Sequence, residues 1–342
     1  MTGMKKMLFV FVLLLSLSPA AVRAESSRMS SLLVEAETGR VLFSENATEK
    51  RYPASLTKMM TLYLIFDALE KGEIRMDQLW TVSKKAARQP RSRMGLKENA
   101  TISVENVIFA MISRSANDAA VVAAEGLAGS EARFADKMTR VARELGMKNT
   151  RFKNASGLHN KDQVTTAQDM AILSRALIRH FPEYYKLFSV RGFRYGKRYY
   201  GNHNLVARFY KGGDGLKTGY VDAAGYHVVG SAVRDGKRLI GVVMGRNSVR
   251  ERDRHIFRLL DSGFAALKNK SPTIDTLTDE PFSAPMKEEK TGSNETEYRK
   301  TRIAAQKLSE SLDRISSIER SLQTEQNTNV VKNAIIDWGK NR

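Results

Sequence analysis

Apolar residues recur along the chain with two different periods. Residues 30–45, SSLLVEAETGRVLFSE, place short apolar runs on either side of Glu37-Thr38-Gly39, which predicts two strands joined by a turn. From Ser55 the spacing becomes helical: SLTKMMTLYLIFDAL, ending at Leu69, predicts one helix closed by Gly72. The same spacing predicts helices at about 103–112, 115–127, 131–145 and 167–180, several bounded by Gly, Ser or Asn. Strand signals return at Tyr226 to Val233 and Arg238 to Met244, which flank Arg234-Asp235-Gly236-Lys237 as a hairpin. A helix from about Val249 to Leu267 follows. Strands therefore lie at both ends of one unit and helices fill its middle. The expected fold class is α/β, more narrowly α+β: an antiparallel sheet built from both ends, flanked by helices, with a helical insertion.

The two termini read differently from this unit. Lys5 and Lys6 precede the apolar run Met7 to Leu17, and Val22-Arg23-Ala24 offers small residues at cleavage positions. Residues 1–24 are expected to be a secretory signal peptide, because the run is short for a span of about 20 residues. Residues 25–270 form the folded unit. Residues 271–298, rich in Ser, Thr, Pro, Glu and Asp, are expected to be a polar linker. In 299–342 helical spacing returns, with Ala305, Leu308, Leu312, Ile315 and Leu322 close to a 3–4 alternation. That tail is expected to oligomerise, or to dock on a protein partner or a membrane.

Composition narrows the chemistry. The chain has 342 residues and no cysteine, which excludes disulfides, a thiol nucleophile and Cys-ligated metal. Its five histidines form no HExxH pattern, so no metal is expected. The net charge is +19, yet residues 271–342 carry 11 basic against 12 acidic groups, so the excess sits on the folded unit. An exported basic domain is drawn to anionic wall polymers or lipid headgroups, and export argues against nucleic acid.

Ser55 and Lys58 are three residues apart on a helix start, about 5–6 Å at Cβ, so the two side chains can touch. Two further motifs follow in order: Ser115-Ala116-Asn117 and Lys217-Thr218-Gly219. Ser44-Glu45-Asn46 and Lys290-Thr291-Gly292 fit the same patterns, but the first lies in an expected strand before Ser55 and the second in the acidic linker. Lys217-Thr218-Gly219 sits where an edge strand can begin, and glycine there lets a substrate backbone come close.

The ordered set S-x-x-K, S-x-N, K-T-G is that of serine penicillin-binding proteins and β-lactamases. RYPASLTKMMT, SRSANDAA at 113–120, DGLKTGYVDAAGYHVVGSA at 214–232 and the closing VVMGRNSVRERDRHIFRLLDSGF extend the likeness over about 28–268. The sequence resembles the low-molecular-mass penicillin-binding proteins, serine-type D-alanyl-D-alanine carboxypeptidases of peptidase family S11. The resemblance implies a penicillin-binding protein/β-lactamase-like transpeptidase fold for a catalytic domain at 25–270. It implies removal of the terminal D-alanine from peptidoglycan stem pentapeptides in the periplasm or cell envelope. It also implies covalent inhibition by β-lactams, with no cofactor.

The roles implied are Ser55 as nucleophile, Lys58 as its base, Ser115 as proton relay, and Asn117 as a holder of Lys58 and the substrate amide. Lys217 and Thr218 would face the terminal carboxylate, with Gly219 beside them. The backbone N–H groups of Ser55 and Tyr220 would form the oxyanion hole. Arg252 matches the family's carboxylate-binding arginine, with Arg250 and Arg254 as neighbouring candidates. Three alternatives remain: a D,D-endopeptidase with the same motifs, a β-lactamase, disfavoured because there is no Leu-Asn dipeptide, and a non-catalytic wall-binding protein. Many relatives continue into a β-rich second domain and an amphipathic anchoring helix. Residues 271–342 have too little strand signal for that domain, which leaves membrane attachment open.

Overall fold

The structure, a computed structural model, describes residues 29–271, 273 and 274. The expected signal peptide, most of the linker, the tail and Lys290-Thr291-Gly292 lie outside the described residues. Strands β1 (Ser30–Glu35) and β2 (Val41–Glu45) form the first hairpin, and a 3-10 turn at Ala54–Thr57 leads into α1 (Lys58–Glu70). The helical part holds β3 (Leu79–Thr81), α2 (Lys84–Ala87), β4 (Thr101–Ser103), α3 (Val104–Phe109), α4 (Asn117–Ala128), α5 (Glu131–Glu144), α6 (Ala167–His180) and α7 (Pro182–Tyr185). The chain closes with β5 (Gly192–Tyr195), β6 (Arg198–Gly201), α8 (Leu205–Phe209), β7 (Gly213–Val221), β8 (Gly225–Arg234), β9 (Lys237–Arg246) and α9 (Val249–Lys268).

The two ends of the chain meet in a five-stranded antiparallel sheet of order β2-β1-β9-β8-β7. Alternation sorts its side chains between two cores. Leu32, Val34, Ile240, Val242 and Met244 join the helical body, whereas Leu33, Leu239 and Val243 pack with Ile256, Leu259 and Leu260 of α9. Gly241 gives that second core room: a Cβ there would lie 2.6 Å from the end of the Ile256 side chain, which would have to shift.

Helix α1 is apolar nearly all round, so it crosses the middle of the body rather than lying on its surface. Tyr63, Phe66 and Leu69 are core residues, and Phe66 stacks on Tyr184 at 5.3 Å. Its first turn differs from expectation. Residues 54–57 form a 3-10 turn, with Leu56 N–H donating to Pro53 O, and α-helical geometry begins only at Lys58. The expected helix at 103–112 also divides: α3 gives way to a wide turn at Ala110–Arg114, and Ser115 follows in left-handed conformation with φ 58°. Lys217 lies in the middle of β7, the outermost strand, rather than at its start. Ser44 and Glu45 lie on β2, at the opposite edge of the sheet.

Candidate active site

A cavity of about 500 Å³ opens between the helical body and β7, and Ser55, Ser115, Asn117, Thr218, Gly219 and Arg252 all line it. The three motifs, up to 162 residues apart in sequence, therefore meet. The 3-10 turn presents Ser55, and Lys58 follows one turn later, fully buried at the head of α1. Lys58 Nζ lies 3.0 Å from Ser55 Oγ, 2.8 Å from Asn117 Oδ1 and 2.5 Å from the Ser156 carbonyl.

Those three contacts fit either protonation state: an ammonium donates to all three oxygens, a neutral amine to two of them. Asn117 is oriented by its own amide nitrogen, which donates to Pro90 O at 3.0 Å, so its Oδ1 faces Lys58 as an acceptor. A neutral amine has two N–H groups and one lone pair. Asn117 Oδ1 and Ser156 O, which can only accept, take the two N–H groups. The lone pair is left for the Ser55 hydroxyl proton. Burial drives the Lys58 pKa well below its usual value, the nearby Lys217 cation adds to this, and Asp118 opposes it. Lys217 is itself lowered to about 7, by burial first and then by Arg252. Burial and the Lys217 cation thus both disfavour the Lys58 ammonium. The Lys217 ammonium donates to Thr218 O at 3.0 Å.

Backbone approach is set by two glycines. A Cβ on Gly219 would sit 3.1 Å from the Ser55 nitrogen, so any side chain there would press β7 away from the Ser55 turn. Gly157, at φ +87°, lies directly against the Ala54 carbonyl. The segment before it is fixed by Glu131, which accepts from Ala155 N–H at 3.1 Å, and by Thr61, whose hydroxyl donates to Ala155 O at 2.8 Å. That clamp holds the Ser156 carbonyl against Lys58.

Ser115 Oγ is buried and has no hydrogen-bond partner among the described residues, in a wall that faces the cavity. The wall is held from behind by Asp118, fully buried, which accepts from the N–H groups of Met94, Gly95 and Leu96 at 3.0, 2.8 and 3.1 Å. Asp118→Ala leaves two buried donors unpaired, on Met94 and Leu96, and one on exposed Gly95; it is expected to cost about 2 kcal/mol or more, read as a lower midpoint in urea unfolding. An unchanged midpoint would show that this loop does not depend on Asp118.

At the other end of the cavity, Arg252 is 5% exposed and makes a bidentate pair with Asp253, at 2.8 and 2.9 Å. Arg250 is exposed and, like Arg254, does not line the cavity. The Tyr220 side chain is 47% exposed, with its hydroxyl donating to Asp222. Two lining residues carried no sequence signal. Arg114, in the wide turn before Ser115, lies 3.4 Å from His203 Nε2 through its Nη1. Burial, and then Lys217, Arg114, Arg252 and Arg208, lower the His203 pKa to about 4. Lys217, Arg252 and Arg114 with a neutral His203 make this end of the cavity suited to an anion.

A serine, a buried amine that favours the neutral state and an adjoining cationic pocket are the parts of a serine acyl-transfer enzyme selective for a carboxylate. The D-alanyl-D-alanine carboxypeptidase family model of peptidase S11 matches residues 17–248. The D-alanyl-D-alanine carboxypeptidase DacF of Bacillus subtilis is 33% identical over 308 residues, covering 81% of this chain and 79% of that protein. DacC of Escherichia coli is 37% identical over 70% of this chain, which spans only 62% of that longer relative. Among solved structures, penicillin-binding protein 5 of Haemophilus influenzae superposes with a TM-score of 0.66 at 36% identity, over 69% of this chain and 70% of that one. Penicillin-binding protein D2 of Listeria monocytogenes, solved with cefotaxime bound, gives 0.64 at 32% identity, over 69% of this chain and 96% of that one. The chain belongs to the D-alanyl-D-alanine carboxypeptidase family of serine peptidases, S11.

Proposed function

We propose that the chain removes the terminal D-alanine from peptidoglycan stem pentapeptides through a Ser55 acyl-enzyme. The observation that carries this reading is the triple contact of Lys58 Nζ with Ser55 Oγ, Asn117 Oδ1 and Ser156 O. Ser55 Oγ attacks the carbonyl of the penultimate D-alanine as its proton passes to the Lys58 lone pair. Negative charge on the carbonyl oxygen is met by the backbone N–H groups of Ser55 and Tyr220. The proton returns through Ser115 to the nitrogen of the leaving D-alanine as the C–N bond breaks. Water, deprotonated by the same lysine, then releases the shortened peptide and regenerates Ser55.

Lys217, Thr218 and Arg252 would bind the free C-terminal carboxylate, with Arg114 and His203 adding donors. Since Arg252 already holds Asp253 by Nε and one Nη, its remaining N–H groups would be the ones offered to the ligand. Asn117 would steady Lys58 more than the substrate, because its amide nitrogen is engaged by Pro90 O. β-Lactams would enter as acylating mimics that leave water unable to complete the cycle. No described helix is long and apolar enough to cross a membrane. The charged, apolar and small-residue order of 1–24 supports export to the envelope, where the substrate is.

The cationic end gives the reaction a pH signature. Lys217, at about 7, is charged below neutrality and loses its charge as pH rises through that value. The ratio kcat/KM reports free-enzyme groups, so it is expected to fall on the alkaline side from near pH 7. A bound carboxylate stabilises the ammonium, so the corresponding limb of kcat is expected at higher pH. A kcat/KM profile flat to pH 9 would remove Lys217 from carboxylate recognition.

The test of function is release of D-alanine from a pentapeptide ending in D-Ala-D-Ala, measured beside cleavage of a cross-linked dimeric muropeptide. Free D-alanine from the first is the expected result. Cleavage of the dimer alone would make the chain an endopeptidase, and failure on both would contradict the reading.

A further inference from the structure

We infer that His227 is a positioning residue that sets the gap between Ser55 and the edge strand, resting on the reading of Ser55 as nucleophile. His227 lies on β8 with no exposed surface and is the register partner of Gly219 on β7. Both point to the face of the sheet that meets the nucleophile turn, since Gly219 would contact the Ser55 nitrogen there. Gly219 has no side chain, and the imidazole next to it reaches across to the turn.

Its two nitrogens have different, fixed partners. Gly245 N–H donates to Nδ1 at 2.9 Å, so Nδ1 carries no proton. Nε2 lies 3.0 Å from the Tyr52 carbonyl, which can only accept, so Nε2 bears the hydrogen. Burial holds the ring neutral, with its pKa down to about 4, and Arg252 and Arg51 act in the same direction. A single neutral ring thus joins β9 to the strap Tyr52-Pro53-Ala54 that delivers Ser55.

Arg51 also reaches the sheet, its Nε donating to Ser30 Oγ of β1 at 3.1 Å, while His227 holds the Tyr52 carbonyl nearer to Ser55. Pro53 has no N–H to give, and Ala54 is held at φ +47°. On its other side the strap is tied to the helical body by a reciprocal pair, Arg51 N–H to Thr165 O and Thr165 N–H to Arg51 O, both 2.8 Å. Body and sheet are the two walls of the cleft. Arg51-Tyr52-His227 is therefore a tie across its closed end, and its length determines how far β7 stands from Ser55. The two N–H groups proposed to hold the oxyanion belong to those two walls, one to Ser55 and one to Tyr220 on β7.

The experiment separates the two halves of the bridge. His227→Asn keeps an acceptor near the Nδ1 position for Gly245 and loses the donor to Tyr52. His227→Gln keeps an amide N–H with the reach to Tyr52 and gives up the Nδ1 acceptor. Stopped-flow acylation by a fluorescent penicillin resolves the pre-acylation dissociation constant from the acylation rate constant, and thermal melts of the same samples report stability. The expected result is an acylation rate constant about ten- to a hundredfold lower in His227→Asn, with the dissociation constant within about threefold of wild type. His227→Gln is expected to retain most of the rate although its melting temperature falls by a similar amount. Equal rates in both variants, at wild-type level or reduced in step with their stability, would overturn the inference. Absence of any covalent adduct on the wild-type protein would overturn the assignment of Ser55 instead, and is distinguished by having no dependence on residue 227.

Discussion

Lys58→Gln is expected to slow acylation of Ser55 by penicillin by about a thousandfold or more, with the chain still folded. The side chain of Lys58 is fully buried and meets three oxygens, of which two can only accept. Glutamine preserves much of the volume but has no lone pair able to take the serine proton. Removing a positioned base costs about 10²–10⁴ in rate, and in the proposed mechanism Lys58 also orients Ser55. Adding Ser55→Ala to Lys58→Gln is expected to cost little more than Ser55→Ala alone, since the two residues act as one unit. Lys58→Arg is expected to be as inactive as Lys58→Gln, because guanidinium does not give up its proton. Circular dichroism melts separate loss of base from loss of fold, and relief of a desolvated amine predicts no large fall in melting temperature. Wild-type acylation by either variant would exclude Lys58 as the base.

Gly157→Ala is expected to be the most damaging glycine-to-alanine change among the described residues. Its Cβ would lie 1.8 Å from the Ala54 carbonyl oxygen, in a backbone at φ +87°. Ala54 precedes Ser55 and Ser156 presents its carbonyl to Lys58, so relief of the clash must move one of them. The expected loss of stability is about 3 kcal/mol or more, with acylation falling in parallel. Gly146→Ala is the control. It sits at φ +90° with nothing within 4 Å, so only backbone strain of about 1–2 kcal/mol applies. A Gly157→Ala protein that melts like Gly146→Ala would mean that the close approach to Ala54 does not matter.

The three motifs that meet at one cavity were legible in the sequence because the chemistry proposed for them demands particular side chains in a particular order. Ser55, Lys58, Ser115, Asn117 and Lys217 each carry a functional group, and spacing alone brought Ser55 and Lys58 together. The long strands were legible for a similar reason: β8 and β9 each run ten residues, enough for a period of two to show. The paired short strands β3–β4 and β5–β6, of three and four residues, are too brief to show one.

What stayed hidden depends on backbone or on tertiary approach. The third partner of Lys58 is the Ser156 carbonyl, and any residue type offers a carbonyl. The left-handed turn that aims Ser115 follows from the widened turn before it, which nothing in Ala110 to Arg114 announces. His203 and Arg114 face the cavity only because β7 and the body converge there. The choice among Arg250, Arg252 and Arg254 was accessible in principle. Arg252 shares a helical face with buried Ile256 and Leu259, whereas Arg250 does not.

The most direct test of the account is mass spectrometry of the purified protein after reaction with a fluorescent penicillin. One covalent adduct is expected, carried by the peptide that contains Ser55 and absent from Ser55→Ala. An adduct of unchanged mass and yield on Ser55→Ala would contradict the account, because the nucleophile would then be elsewhere.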